Sequence, residues 1–287
     1  PFTGERHKSL VRGRQSEERC RHKCGADSRT ISTEGVGLTP FFLYFCAICT
    51  NAYQKKMSEL TENQIKFSDY TEADFETLSW NEHIRRRSGM YIGKLGDGSS
   101  PDDGLYVLFK EIVDNAIDEA ANGHAKKVIV CLYPDGSASV EDDGRGMPVD
   151  IHPEAGISGV EVIFTQLHAG GKFGGGGYKV SGGLHGVGAS VVNALSKWME
   201  VTIKRDGYEH FIRFKDGGNV DIPLTKRDKT SKTGTKVRFM PDDEIFSTTN
   251  FSFTTICKRM QESAFLIKGL SIDVIDEEDE KEVRAFQ

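Results

Sequence analysis

The sequence predicts an α+β protein, a two-layer sandwich with helices packed on one face of a mixed sheet. Three stretches carry that expectation. Residues 103–124, DGLYVLFKEIVDNAIDEAANGH, set Leu105, Leu108, Ile112, Ala116 and Ala120 at three-to-four spacing, the period of an amphipathic helix. Residues 126–144, KKVIVCLYPDGSASVEDDG, are two β-rich runs broken by the turn-forming Pro134-Asp135-Gly136. Residues 200–214, EVTIKRDGYEHFIRF, repeat that form around Asp206-Gly207. Helices alternating with antiparallel hairpins bury their apolar sides by stacking as two layers.

Taken from the N-terminus, residues 1–56 sustain neither helical nor strand periodicity, and the composition changes at Met57. Met57 is expected to be the natural start, with 1–56 a non-native or disordered upstream extension, 57–79 an N-terminal arm and 80–287 the folded domain. After the long helix and first hairpin come a short helix (159–167), a glycine-rich loop (170–183, GGKFGGGGYKVSGG) and a helix (189–198, ASVVNALSKW). The second hairpin follows, then a strand (234–242, GTKVRFMPD) and a helix (254–267, TTICKRMQESAFLI). Residues 269–287 read as a strand, an acidic turn and the start of another strand with no closing element, so the chain looks cut.

The net charge of −6 is unevenly spread. Residues 1–56 hold ten Lys/Arg against five Asp/Glu, and the remainder 27 against 38, a net of −11. An acidic body is a poor coat for a phosphate backbone, which disfavours a DNA-binding module. Four of the six cysteines, Cys20, Cys24, Cys46 and Cys49, lie in the first 56 residues, and Cys131 and Cys257 lie in apolar segments. That usage suits a reduced, cytoplasmic protein. The Cys20/Cys24 and Cys46/Cys49 pairs have a zinc-like spacing, but nothing around them resembles a compact zinc module. The longest apolar run, FFLYFCAIC at 41–49, has nine residues, whereas a spanning helix needs roughly 20. No membrane partner is expected, and no secretory cleavage site follows the run.

Chemistry is concentrated in four places. Glu111 and Asn115 stand four apart on one helix face, continued by Asp118 and Glu119; taken alone, this is an ordinary solvated face. VEDDGRGMP (140–148) follows a strand and carries Asp142 with Gly144 and Gly146, more than a plain turn requires. A carboxylate at a strand end can accept from an exocyclic amino group, and Gly146 permits close approach of a ring or a water. Residues 181–195, SGGLHGVGASVVNAL, put a glycine-rich loop directly before a helix, where unpaired backbone N–H groups hold anions. Its G-L-H-G-V-G spacing is not the dinucleotide fingerprint, and AGGKF (169–173) is not a P-loop because Phe173 follows the lysine. Last, KTGTKVRF (232–239) places Thr235 at a strand start, a position most often structural.

The order is the signal: E-x-x-x-N on a helix, D-x-G-x-G after a strand, a glycine lid, then G-T on a strand. This series resembles the Bergerat (GHKL) ATP-binding fold of gyrase, the large heat-shock chaperones and histidine kinases. RRRSGMYIG, EIVDNAIDEA, DDGRGMP, LHAGGKF and YKVSGGLHGVGASVVNAL resemble, more narrowly, the ATPase domain of the B subunit of bacterial type IIA DNA topoisomerases, over about residues 65–287. This family comprises the gyrase and topoisomerase IV B subunits. The segment 93–104 and YVLFKE lean toward topoisomerase IV.

The resemblance implies ATP and Mg²⁺ as cofactors, a homodimer closed by ATP, and DNA and the A subunit as partners of the full-length protein. It implies Glu111 as the general base and Asn115 as the magnesium ligand. Asp142 would accept from the adenine amino group, with Gly146 and Thr235 sharing an ordered water there. Arg145, beside Pro148 and paired with Glu119, would edge the adenine, and Met147 and Ile163 would supply apolar walls. Gly183, Leu184, His185, Gly186, Val187, Gly188 and Ala189 would wrap the triphosphate, with Lys172 and Tyr178 in the same lid. Tyr70, 21 residues before Tyr91, matches the arm tyrosine that reaches the partner's nucleotide, and Arg205 matches an arginine used by coumarin inhibitors.

The chain departs from the family at Ser88, where a proline is usual, and at Val107, where many relatives have a histidine four residues before the glutamate. It ends at Gln287, before the transducer domain whose lysine contacts the γ-phosphate, so the fragment is expected to bind ATP and turn it over poorly. Two other readings share these motifs: a histidine-kinase catalytic domain, against which Glu111 and LHAGGKF argue, and a non-hydrolysing nucleotide switch.

Overall fold

A computed structural model describes residues 77–167, 186–277 and 282–287. Residues 77–287 make one compact unit. In chain order the elements are α1 (Trp80–Arg86), α2 (Gly89–Ile92), α3 (Gly104–Ala121), β1 (Lys127–Leu132), β2 (Ala138–Asp142), α4 (Gly159–Thr165) and α5 (Gly188–Ala194). There follow β3 (Ser196–Arg205), β4 (Tyr208–Lys215), β5 (Asn219–Lys229), β6 (Gly234–Pro241), α6 (Phe253–Leu266), β7 (Ser271–Asp276) and β8 (Glu282–Phe286).

The sheet is mixed, as the sequence led one to expect, and the eight strands of the described residues run across it in the order β5-β4-β3-β6-β2-β1-β7-β8. Every neighbouring pair is antiparallel except β1 and β7. Period-two alternation aims one side of each strand inward. Met199, Val201 and Ile203 of β3 stand opposite Phe239, Val237 and Thr235 of β6, and opposite Phe214, Ile212 and His210 of β4. Val128, Val130, Ala138 and Val140 continue that apolar face across β1 and β2. The helices cover it: α3 lies against β1 and β2, α5 against β3, and α6 against β7 and β8. Phe164 of α4 reaches Phe214 of β4, with ring centroids 5.7 Å apart.

The opposite face is tiled by polar and aromatic side chains. Arg238 stacks 3.8 Å above the Tyr133 ring and 5.4 Å from that of Trp198, and Lys204 pairs with Glu141 at 2.6 Å. The burial of an arginine stem over an aromatic plane shields apolar carbon while its charge stays wet.

Where a helix was expected over 189–198, α5 stops at Ala194 and β3 begins at Ser196. Met199, Val201 and Ile203 can all be buried only if the chain extends here, so sheet pairing overrides the helical reading of SKW. The switch is fixed by Arg85 of α1. Its guanidinium donates to the Ala194 carbonyl at 3.1 Å and pairs with the buried Asp242 at 2.7 Å. A cation at the end of α5 satisfies a carbonyl that the helix itself leaves unpaired. Segment 93–104 is likewise held from within: Asp103, buried just before α3, accepts from the backbone of Gly98 at 3.0 Å and of Ser100 at 3.1 Å. Among the described residues, no helix is long and apolar enough to cross a membrane.

Candidate functional site

Helix α3 sets Glu111, Asn115 and Glu119 at successive four-residue steps on one face. Asn115 Nδ2 donates to the Glu111 carbonyl at 2.9 Å, which ties the side chain to its own helix. Val107 lies one turn before Glu111, half-buried against the core.

Below α3, β2 ends at Asp142, directly opposite Thr235 of β6. The two adjacent aspartates have separate tasks. Asp143 Oδ1 accepts from the backbone N–H of Lys126 (2.7 Å) and Lys127 (2.9 Å), which locks the α3–β1 connection to the end of β2. Asp142 lies on the inner face, where its Oδ1 accepts from Gly144 N at 2.8 Å. Burial pushes its carboxyl up to about 7, the backbone bond from Gly144 opposes that, and the negative charge of Glu119 reinforces it. A desolvated carboxylate at this level is a strong acceptor, and what surrounds it is backbone N–H and other carboxylates.

The loop after β2 is clamped to its neighbours. Glu119 takes three bonds from Arg145: backbone N and Nε to Oε2, both at 3.1 Å, and a guanidinium nitrogen to Oε1 at 2.7 Å. Gly144 is held where a Cβ would stand 2.7 Å from Asp142 Oδ1 and 2.9 Å from Glu119 Oε2. Gly146 has φ +78°, and a Cβ there would stand 2.9 Å from the Lys204 carbonyl. Met147 N donates to Thr235 Oγ1 at 3.3 Å, and Arg205 donates to the Gly146 carbonyl at 2.9 Å. Pro148 abuts the start of α4 at Gly159, while Met147 and, on α4, Ile163 are half-buried against the core.

At the third side, Gly186 and Val187 lead into α5, with Gly188 and Ala189 in its first turn. Gly188 faces the Glu111 carboxylate so closely that a Cβ there would overlap its Oε2. The structure therefore brings together Glu111, Asn115, Glu119, Asp142, Arg145, Gly146, Met147, Pro148, Thr235 and the end of the glycine loop from α3, the β2 turn, β6 and α5. Tyr70, Lys172, Tyr178, Gly183, Leu184 and His185 lie outside the described residues, as do the four N-terminal cysteines.

Three contributors escape sequence reading. The D-x-G-x-G spacing picks Asp142 and gives Asp143 no role. The family resemblance marks Arg205 for inhibitors, not for the Gly146 carbonyl. Gly234 has φ +135°, and a Cβ there would overlap the Asp142 carbonyl, so the glycine of G-T is what lets β6 pass the end of β2. The glycine itself is the available signal. Among the described residues, no group of three or more His, Cys, Asp or Glu is placed to hold a metal ion. One amide oxygen from Asn115 suits magnesium, which keeps waters and takes most of its remaining ligands from phosphates.

Residues 101–245 match the family described as histidine kinase-, DNA gyrase B-, and HSP90-like ATPase. The chain is 55% identical over 215 residues to the B subunit of DNA topoisomerase 4 from Enterococcus faecalis, covering 75% of this chain and 30% of that protein. It is 54% identical over 212 residues to the B subunit of DNA topoisomerase 4 from Staphylococcus aureus, covering 74% of this chain and 31% of that protein. The chain thus spans about three tenths of the length of these relatives. Because the family match takes in half of the chain and runs from just before α3 to beyond β6, this chain belongs to the histidine kinase-, DNA gyrase B- and HSP90-like ATPase family.

Proposed function

We propose that this chain is the ATP-binding and hydrolysing region of the B subunit of a cytoplasmic type II DNA topoisomerase, in which ATP-driven dimer closure powers DNA strand passage. The observation that carries the reading is Asp142: a desolvated carboxylate at a strand end, opposite Thr235 and beside an α3 face bearing Glu111 and Asn115. The identity to topoisomerase IV B subunits over the same region supports it.

In this reading Asp142 accepts from the adenine amino group, and Thr235 and Gly146 hold a water beside it. The Arg145–Glu119 pair fixes the outer edge of the base site. Glu111 orients a water and takes its proton as that water attacks the γ-phosphate. Asn115 holds magnesium, which supplies neutralising charge to the phosphates when bound. Gly183 to Ala189 present backbone N–H groups to the triphosphate, Lys172 and Tyr178 close over it, and Tyr70 reaches the partner's nucleotide in a homodimer. DNA and an A subunit are partners of the complete protein.

The test is calorimetric titration of the chain with Mg²⁺ and a non-hydrolysable ATP analogue. Asp142→Asn is expected to abolish measurable binding, since an amide presents an N–H donor where an acceptor is needed. Glu111→Gln is expected to keep binding within about threefold while lowering residual hydrolysis by about 10²–10⁴, the usual weight of a general base. Tight binding by Asp142→Asn would overturn the adenine assignment, and unimpaired hydrolysis by Glu111→Gln the base assignment.

A further inference from the structure

The peptide unit joining Gly146 to Met147 is held at both ends. Its carbonyl accepts from Arg205 at 2.9 Å, and its N–H donates to Thr235 Oγ1 at 3.3 Å. Such a restraint matters here because Gly146 has φ +78°, a region in which glycine rotates its following peptide with little steric opposition. Rotation would exchange which of the two groups, an acceptor or a donor, faces the end of β2. That end carries Asp142 in register with Thr235, so the orientation of this peptide decides the hydrogen-bond pattern beside the desolvated acceptor.

Arg205 is placed to do this. It is the last residue of β3, about one third exposed, and it also pairs with the adjacent Asp206 at 3.4 Å. The end of β3 stands close to this loop: a Cβ at Gly146 would lie 2.9 Å from the Lys204 carbonyl and 3.3 Å from Ile203 Cγ2, so only glycine fits the approach. The other clamp, Glu119 on Arg145, acts through the arginine side chain and the 144–145 peptide, two peptides earlier, and does not hold the 146–147 unit.

Building on the nucleotide reading above, we infer that Arg205 is a positioning residue for base selection, fixing the Gly146–Met147 peptide so that the site presents a pattern complementary to adenine and not to guanine. A purine bearing a carbonyl and a ring N–H in place of the amino group and the bare ring nitrogen meets the Asp142 acceptor with an acceptor, and only a rotated peptide, its carbonyl turned toward the end of β2, offers that ring N–H a partner. Losing the arginine releases that rotation.

The experiment is calorimetric titration of the unsubstituted chain, Arg205→Ala and Arg205→Lys with non-hydrolysable ATP and GTP analogues, with thermal melts of each unliganded protein. Arg205→Ala is expected to weaken the ATP analogue about tenfold, the scale of one hydrogen bond from a charged donor, and to weaken the GTP analogue less or not at all. Arg205→Lys should restore most of the preference, because a single N–H donor suffices at one carbonyl. Melting temperatures should stay together, since the side chain lies at the surface end of its strand. Equal losses for both analogues, or an unchanged preference in Arg205→Ala, would overturn the inference. Failure of the unsubstituted chain to bind either analogue would instead overturn the nucleotide reading on which it rests.

Discussion

Two aspartates side by side show how far a single residue's role depends on which way its strand faces. Asp143 accepts two backbone bonds and is structural, while Asp142, one position earlier, faces inward and is desolvated. The folded-state carboxyl of Asp142 lies at about 7 against an ordinary 3.8, so the fold prefers it protonated. Its contribution to stability is whole below the ordinary value and is lost as pH rises through the folded one. Asp142→Asn removes that loss. The variant should therefore melt higher than the unsubstituted protein at pH 8, with the gap closing as pH falls toward 4, and a gap independent of pH would exclude the assignment. Nucleotide affinity should move oppositely and fall below pH 7, because the protonated carboxyl accepts less well from an amino group. The spacing D-x-G-x-G is enough to single out Asp142. It is not enough to find Arg205 or Asp143, whose partners are fixed by β3 and by the α3–β1 connection and leave no local trace in the sequence.

At the level of elements, segments rich in apolar positions were legible, the short α4 among them, and those with few apolar positions or many charges were not. The α3 helix and both hairpins announce themselves by period and turn chemistry. Helix α1 has seven residues with Ile84 its one buried side chain, too few apolar positions for a period to register, whereas α4, of the same length, buries three. Strand β5, NVDIPLTKRDK, contains a proline and a run of charges, and it pairs with β4 through three register shifts. Such composition is what an exposed edge strand needs if it is not to recruit another chain. The junction of α5 with the glycine loop carries its own prediction. Gly188→Ala introduces a methyl group into the space of the Glu111 carboxylate without disturbing helical backbone, so the carboxylate must move. Misplacing a base by about 1 Å costs on the order of 10²-fold, so hydrolysis should drop far more than nucleotide affinity does. A matching loss of both would assign Gly188 to phosphate contact alone.

For the molecule as a whole, one face of an eight-stranded sheet supports everything described, and its strands are unequally protected. Met199, Val201 and Ile203 of β3 are fully buried between β4 and β6, whereas most of β8 is exposed at the sheet's edge. Hydrogen exchange should therefore be slowest in β3 and β6 and fastest in β8 and the 225–229 end of β5, since local opening follows burial and pairing. Slow exchange throughout β8 would require a cover for that edge. The two-layer architecture was readable because alternating helices and hairpins admit few other arrangements. The strand order was not, because it depends on which edges of the two hairpins come together.

Those edges meet through β6, which pairs with β2 on one side and β3 on the other. Asp142 thus belongs to the first hairpin, whereas Thr235 lies on the later strand that joins that hairpin to the second. On the ribosome, at about 5–20 residues per second, the first half of the site waits on the order of ten seconds for its complement. Until β6 has emerged, the nascent chain offers a finished α3 and an open β2 edge but no base site. Nucleotide can therefore stabilise the completed domain without rescuing any shorter intermediate.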